Sequence, residues 1–257
     1  MMQRDYKTSV SKHRESTAID PMAFQLAWAK KKGWELGPNN LFVEGETDYR
    51  YLSLATRLHL ETTGLSLSGH DFSVLPLGMA MGGGTSRVEA DLRPLFSMRA
   101  DFGIGNKTNQ CRVLLLLDDD AAGRGAFNKA RKWLREGIDV FLLRRNFSPV
   151  DEPSRFNEMI AKLNEATLRA KLDCEVEDLI SKELIMDFLA SNPGCRQREE
   201  TAADEVHIEV RGDCKGKLRR HIECMAMYCD VERLVNLLRA FRSLLRLPVD
   251  GVPPGSA

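Results

Sequence analysis

The chain has 257 residues, enough for one large or two small domains with a full core, and its 37 basic residues cancel its 37 acidic ones. No global positive field argues for a protein that coats DNA, although a metal-using nuclease can be neutral overall when acids gather in its site and Lys and Arg line the approach. No apolar stretch approaches the ~20 residues that span a bilayer, and Met1 to Asp20 lack the apolar middle of a secretory signal. The expectation is a cytoplasmic protein with no membrane association. Its six cysteines, none in a C-x-x-C pair, are then expected to be reduced, mostly structural thiols. The histidines show no paired ligand spacing with them, which argues against zinc.

Residues 1–20 read as a polar, frayed segment. Pro21 to Trp34 predict a helix with Phe24, Leu26, Ala27 and Trp34 as its apolar stripe and Gly33 near its end. After the Gly-Pro-Asn-Asn turn at 37–40, Leu41 to Glu44 predict a short strand, Gly45 a tight exit, and Thr47 to His59 a helix. Phe72 to Leu77 predict a second strand, followed by a glycine-rich run at 78–85 and a helix from Arg87 to Ser97. Arg112 to Leu117 form the clearest strand, ended by three aspartates and followed by a helix from Gly123 to Arg135, and Val140 to Leu143 supply a fourth strand. Such alternation implies right-handed crossovers and a mostly parallel sheet covered on both faces.

Pro149, Asp151 and Pro153 mark a boundary or a mobile loop. Helices are predicted over 156–171 and 176–189, a polar loop over 191–204, a strand from Val206 to Val210, and helices over Lys217 to Tyr228 and Val231 to Leu245. The Pro/Gly-rich tail from Pro248 to Ala257 is expected to be disordered.

The chemistry sits in two acidic clusters, L-F-V-E-G-E-T-D at 41–48 and L-L-L-L-D-D-D-A-A-G-R at 114–124, each ending an apolar run. A buried strand of this kind delivers carboxylates to the carboxyl edge of a parallel sheet, where α/β proteins place their ligands. One aspartate suffices to cap the following helix, whereas three beside an apolar run repel one another unless a cation is present. Carboxylates are the ligands hard Mg²⁺ prefers, so Glu44, Asp48, Asp118 and Asp120 are candidate ligands. Alternation along an extended segment sends Asp118 and Asp120 to one side and Asp119 to the other, which removes Asp119 from the set.

Other motifs are weaker. Gly82-Gly83-Gly84-Thr85 could cradle a phosphate at a helix start, but without a P-loop lysine a flexible turn is the better reading, even if it lies beside the metal site. Gly103 to Thr108 carry Asn106 where a Walker A loop needs its second glycine, and no apolar strand precedes them. Arg124 reads as a surface ion-pair partner, and Arg144 and Arg145 as solvated, with phosphate contact as the alternative for each.

The spacing E-G-x-T-D (Glu44, Gly45, Thr47, Asp48), followed by an apolar strand and D-x-D-x-x-G (Asp118, Asp120, Gly123), resembles the Toprim domain and, within it, the catalytic half of OLD-type (overcoming lysogenization defect) nucleases. The resemblance covers residues 38–145 and extends toward 180. It implies a Toprim-like Rossmannoid α/β fold with an α-rich C-terminal extension: an N-terminal helical segment at 1–37, a catalytic domain at 38–190, a strand and helices at 191–247 completing it, and the tail at 248–257. It also implies a Mg²⁺- or Mn²⁺-dependent endonuclease using two ions to hydrolyse DNA or RNA phosphodiesters.

Carried over, Glu44 acts as general acid/base or ligand, Asp118 and Asp120 hold the ion, and Asp48 helps bind it. The segment Cys174-Glu-Val-Glu-Asp-Leu-Ile is similar to one whose acid completes the metal shell, with Glu177 the better fit and Glu175 second. A downstream lysine thought to stabilise transition-state charge corresponds to Lys217 or Lys215, and Lys217 is taken as the catalytic residue. No Walker motif occurs in the chain, so the resemblance implies a separately encoded ABC-type, OLD-like ATPase partner, as in two-component phage defence, and leaves homo-oligomerisation open. The alternatives are a Toprim primase or RNA-maturation enzyme, and a non-catalytic metal-binding interaction module.

Overall fold

The structure is a computed structural model that describes residues 21–77, 85–101, 111–202 and 204–255. The expected frayed segment at 1–20, the glycines at 82–84 and the loop at 103–108 lie outside these residues. At the centre is a four-stranded sheet of β1 (Asn39–Val43), β2 (Ser73–Pro76), β3 (Arg112–Leu117) and β4 (Val140–Leu142), in the order β2-β1-β3-β4. Every pairing is parallel, with Leu41 opposite both Val74 and Leu114, and Leu116 opposite Phe141.

Beyond their opening residues (Asn39 and Asn40, Ser73, Arg112) the strands are apolar because both faces are covered. Leu41, Val43, Leu114, Leu116, Phe141 and Leu143 face one core, shared with α2 (Glu46–Thr63), α5 (Phe156–Leu163), α7 (Lys182–Ser191), α8 (Gly212–Met225) and α9 (Glu232–Leu244). Phe42, Val113, Leu115, Leu117 and Val140 face the other, with α1 (Pro21–Lys32), α3 (Val88–Asp101) and α4 (Ala121–Ala130). The period-two alternation thus divides each strand between two helical layers. The C-terminal helices share the first of these cores with the sheet.

Several expectations need correction. In α1 the buried positions are Gln25, Ala29 and, just beyond the helix, Trp34, while Leu26 is 44% exposed. Polar anchors set its rotation: Gln25 Nε2 donates to the Leu95 carbonyl at 3.2 Å and Trp28 Nε1 to the Asp91 carbonyl at 2.9 Å. The 156–171 helix is two, α5 and α6 (Glu165–Ala170), parted at Asn164, whose side chain pairs with the Asn146 backbone. The 176–189 helix is a 3-10 turn at Val176–Leu179 and then α7, which Ser181 caps.

The polar loop at 191–204 contains β5 (Arg196–Ala202), antiparallel to β6 (Glu205–Val210). This hairpin strand is exposed along most of its length and is held by backbone pairing and by Arg196–Glu199 and Gln197–Glu209 contacts, so it carries no apolar alternation. Helix α8 starts at Gly212 and not at the expected Lys217, which places Lys215 inside it.

The expected disordered tail is placed as far as Gly255. Val252 bridges Ser66, and the buried Arg242 donates to the Pro248 and Leu67 carbonyls while pairing with Asp71. Cys195 and Cys214 form a disulfide, which corrects the all-thiol expectation; Cys111, Cys174, Cys224 and Cys229 are free. The start of β5 and the first turn of α8 face each other there, and Arg211 N–H also bonds the Cys195 carbonyl at 3.0 Å. No helix among the described residues is long and apolar enough to cross a membrane.

Candidate active site

The chain leaves β1 to build β2 on one side and leaves β3 to build β4 on the other, so the β1–β3 boundary is the switch point of the sheet. Connections diverge at such a point and open a crevice beyond the carboxyl ends of the strands. Glu44 follows β1 there and Asp118 follows β3.

The two ends are tied directly. Glu44 Oε1 accepts the Asp118 backbone N–H at 2.9 Å. Asp48, in the first turn of α2, reaches back with Oδ2 to the Gly45 N–H at 3.0 Å, and Asp120 caps α4 by accepting the Gly123 N–H at 2.6 Å. Both acids also favour the positive end of the helix they start. Gly123 has its own reason: a Cβ there would lie 2.0 Å from the Asp118 carbonyl oxygen and 3.0 Å from Glu44 Oε1. Only glycine lets α4 start this close to the end of β3.

A third segment is added by backbone pairing. Asp119 N–H donates to the Cys174 carbonyl at 2.9 Å, and this antiparallel bridge brings Glu175 and Glu177 to the same edge. Asp178 fixes the turn that presents them: its carboxylate accepts the Glu175 N–H at 2.8 Å, meets His207 Nδ1 at 2.8 Å and lies 3.2 Å from the fully buried Arg145 guanidinium. From α8, Lys215 Nζ donates to Glu175 Oε2 at 3.0 Å and stands 3.8 Å from Glu177 Oε1. Lys217 lies on the exposed side of α8, and Lys215 is the lysine that joins the carboxylates.

The charges in this cluster act on one another. Burial, reinforced by Asp120 and Glu175, raises the Glu44 carboxyl to about 7, against the Asp118 N–H and Lys215. Asp48 also rises to about 7, through burial and then Glu177 and Glu44. Burial first, then Asp48, Glu44 and Glu177, lift Asp118 well above the ordinary range. Glu177 is raised by burial, with Lys215 opposing and Glu175 adding. Burial would lower the Lys215 ammonium, but Glu177 and Glu175 outweigh it and push it up. Glu44, Asp48, Asp118, Glu175 and Glu177 therefore share the cation Lys215, with Asp120 acting on Glu44, an arrangement that added positive charge would relieve.

Asp119 stays apart, engaged by Arg144 and by Arg124, which also holds Asp173 at 2.8 Å. Arg124 is the ion-pair partner expected. Arg144 is mostly buried on Asp119, and Arg145, expected to be solvated, is 2% exposed and donates to the Asp173 and Val206 carbonyls. Sequence reasoning gave no role to Asp178, His207 or Tyr51; nothing in their spacing marks them.

An all-carboxylate oxygen set fits a hard divalent cation. As they stand, Glu44, Asp48 and Asp120 each direct one oxygen to a backbone N–H, and among the described residues no three His, Cys, Asp or Glu side chains converge at ligand distance. Each carboxylate keeps a second oxygen, and convergence on one ion would take side-chain rotation. No family model, curated protein or solved structure matches the chain.

Proposed function

We propose that this protein is a divalent-metal-dependent nuclease of Toprim type that hydrolyses phosphodiester bonds in DNA or RNA. The observation that carries the reading is the meeting of both motif halves, the Glu175–Glu177 segment and Lys215 at the switch point of a parallel sheet. Glu44, Asp48, Asp118, Asp120 and Glu177 would hold the ions. When bound, Mg²⁺ or Mn²⁺ supplies charge that polarises a phosphoryl oxygen and makes water a better nucleophile near neutral pH.

The side chains supply the rest. Glu44, at the end of β1 beside the other carboxylates, can also take a proton from water and return it. Lys215 keeps its proton and can offset negative charge that grows on the phosphoryl oxygens. A separately encoded ATPase is the partner that the OLD-type resemblance calls for.

The test is to incubate purified protein, with Mg²⁺ or Mn²⁺, with plasmid, single-stranded DNA and total RNA, alongside Glu44→Gln and Asp118→Asn variants. Metal-dependent cutting lost in both variants is expected. Cutting that survives both would refute the site. Metal binding with no cutting of any substrate, the ATPase partner included, would favour an interaction module, and primer synthesis from nucleotides would favour a polymerase.

A further inference from the structure

Beside the carboxylates one buried hydroxyl has no partner. Tyr51 follows Asp48 by three residues on α2, so the two lie on neighbouring positions of one helix face. Its side chain is 0% exposed and its hydroxyl makes no hydrogen bond. A buried hydroxyl without a bond is costly, and phenylalanine would fill the same space without that cost, so packing does not account for it. Across from it on α8, the buried Arg219 Nε also lacks a hydrogen-bond partner. Of the charged groups around the phenol, Glu177 acts on it most strongly, ahead of Arg219, Glu223 and Asp48.

Glu177 has room for a donor. Its Oε1 is 3.8 Å from Lys215 Nζ, beyond hydrogen-bond distance, and an ionised carboxylate accepts several bonds. We infer that Tyr51 is a positioning residue whose hydroxyl donates to the Glu177 carboxylate when that carboxylate turns toward a divalent cation. This rests on the metal-dependent reading above and extends it to a residue outside the acid set. Groups that orient ligands from behind change metal affinity by about 10- to 100-fold when removed.

The experiment uses the full chain with Tyr51→Phe, Glu177→Ala and the double variant, reading Mn²⁺ affinity by titration calorimetry, metal-free Tm, and kcat and KM on whichever nucleic acid is cut. Tyr51→Phe is expected to keep or raise the metal-free Tm, to weaken Mn²⁺ binding about tenfold, and to lower kcat with KM for nucleic acid unchanged. In the Glu177→Ala background it should change nothing further, because its acceptor has gone. Unchanged Mn²⁺ affinity, a lowered metal-free Tm, or effects that simply add to those of Glu177→Ala would each overturn the assignment of Tyr51. Wild-type protein that binds no Mn²⁺ would instead overturn the metal-dependent reading, and the role of Tyr51 with it.

Discussion

Replacing Glu44 by glutamine should stabilise the metal-free protein at pH 8. Glu44 has its carboxyl raised from 4.5 to about 7, chiefly by burial and then by Asp120 and Glu175. At about 1.4 kcal/mol per pH unit, holding this group ionised costs the fold on the order of 3 kcal/mol, and solvent screening of a partly exposed carboxylate trims that to roughly 1–3 kcal/mol. The sign follows from linkage. Above pH 7 both folded and unfolded states are ionised and the full cost is present. As pH falls from 7 toward 4.5 the folded state takes up a proton the unfolded state does not, and the cost disappears.

The side-chain amide introduced by Glu44→Gln would still offer an oxygen to the Asp118 N–H that Glu44 meets at 2.9 Å, so the variant removes charge and not the bond. Urea unfolding with chelator present should therefore find Glu44→Gln more stable than wild type by about 1–3 kcal/mol at pH 8, with the advantage gone at pH 4.5. Comparing the two proteins cancels the groups outside the cluster, while Asp48 and Asp118, which Glu44 helps to raise, add to the gain of the variant at pH 8. Saturating Mg²⁺ should reverse the order, since only wild type keeps the full ligand set. Equal destabilisation of Glu44→Gln at both pH values would refute the reasoning, because Glu44 would then be an ordinary structural acceptor.

Other outcomes follow from the same geometry. Gly123→Ala forces a methyl to within 2.0 Å of the Asp118 carbonyl, so thermal unfolding should register a loss of about 1–3 kcal/mol or more, and cleavage should fall with it; a wild-type Tm would contradict the close approach. Lys215→Met should lower kcat about 100-fold or more while Lys217→Met, on the exposed side of α8, stays within about twofold of wild type in a steady-state assay. Reducing the Cys195–Cys214 disulfide, which joins residues 19 apart, should cost about 3 kcal/mol in denaturant titrations with dithiothreitol. A Cys195→Ser/Cys214→Ser double variant should show that loss without reductant and no response to it.

The parts of the fold visible in the sequence are those whose physics is local. β1 and β3 announce themselves through the apolar runs at 41–43 and 113–117, which a strand covered on both faces requires, and Glu44 and Asp118 stand out because acids ending such runs are costly without a role. The strand order, and hence the meeting of Glu44 with the Asp118 N–H, depends on pairing across 74 residues, for which only the resemblance offered a hint.

A helix read as beginning at Lys217 leaves Lys215 ahead of it, so no inner face is available to choose between them and the choice of Lys217 falls on the wrong lysine of the pair. With α8 starting at Gly212, the buried Cys214, Leu218 and Ile222 define its inner face, and Lys215 falls beside that face while Lys217 falls away from it. Two glycines and a charged D-C-K-G-K run hide that start, because glycine and aspartate favour turns as readily as helix ends. β5 is polar on most positions, so no alternation betrays it. Tyr51 reads as one more core aromatic until its unpartnered hydroxyl is seen in place.

The most direct test of the account is an anomalous-scattering map from crystals of the protein grown or soaked with Mn²⁺. The account predicts metal at the carboxyl edge of β1 and β3, contacted by carboxylates from the set Glu44, Asp48, Asp118, Asp120 and Glu177, with Lys215 nearby. No metal at this edge, or ions held elsewhere while the protein still cuts nucleic acid, would contradict it.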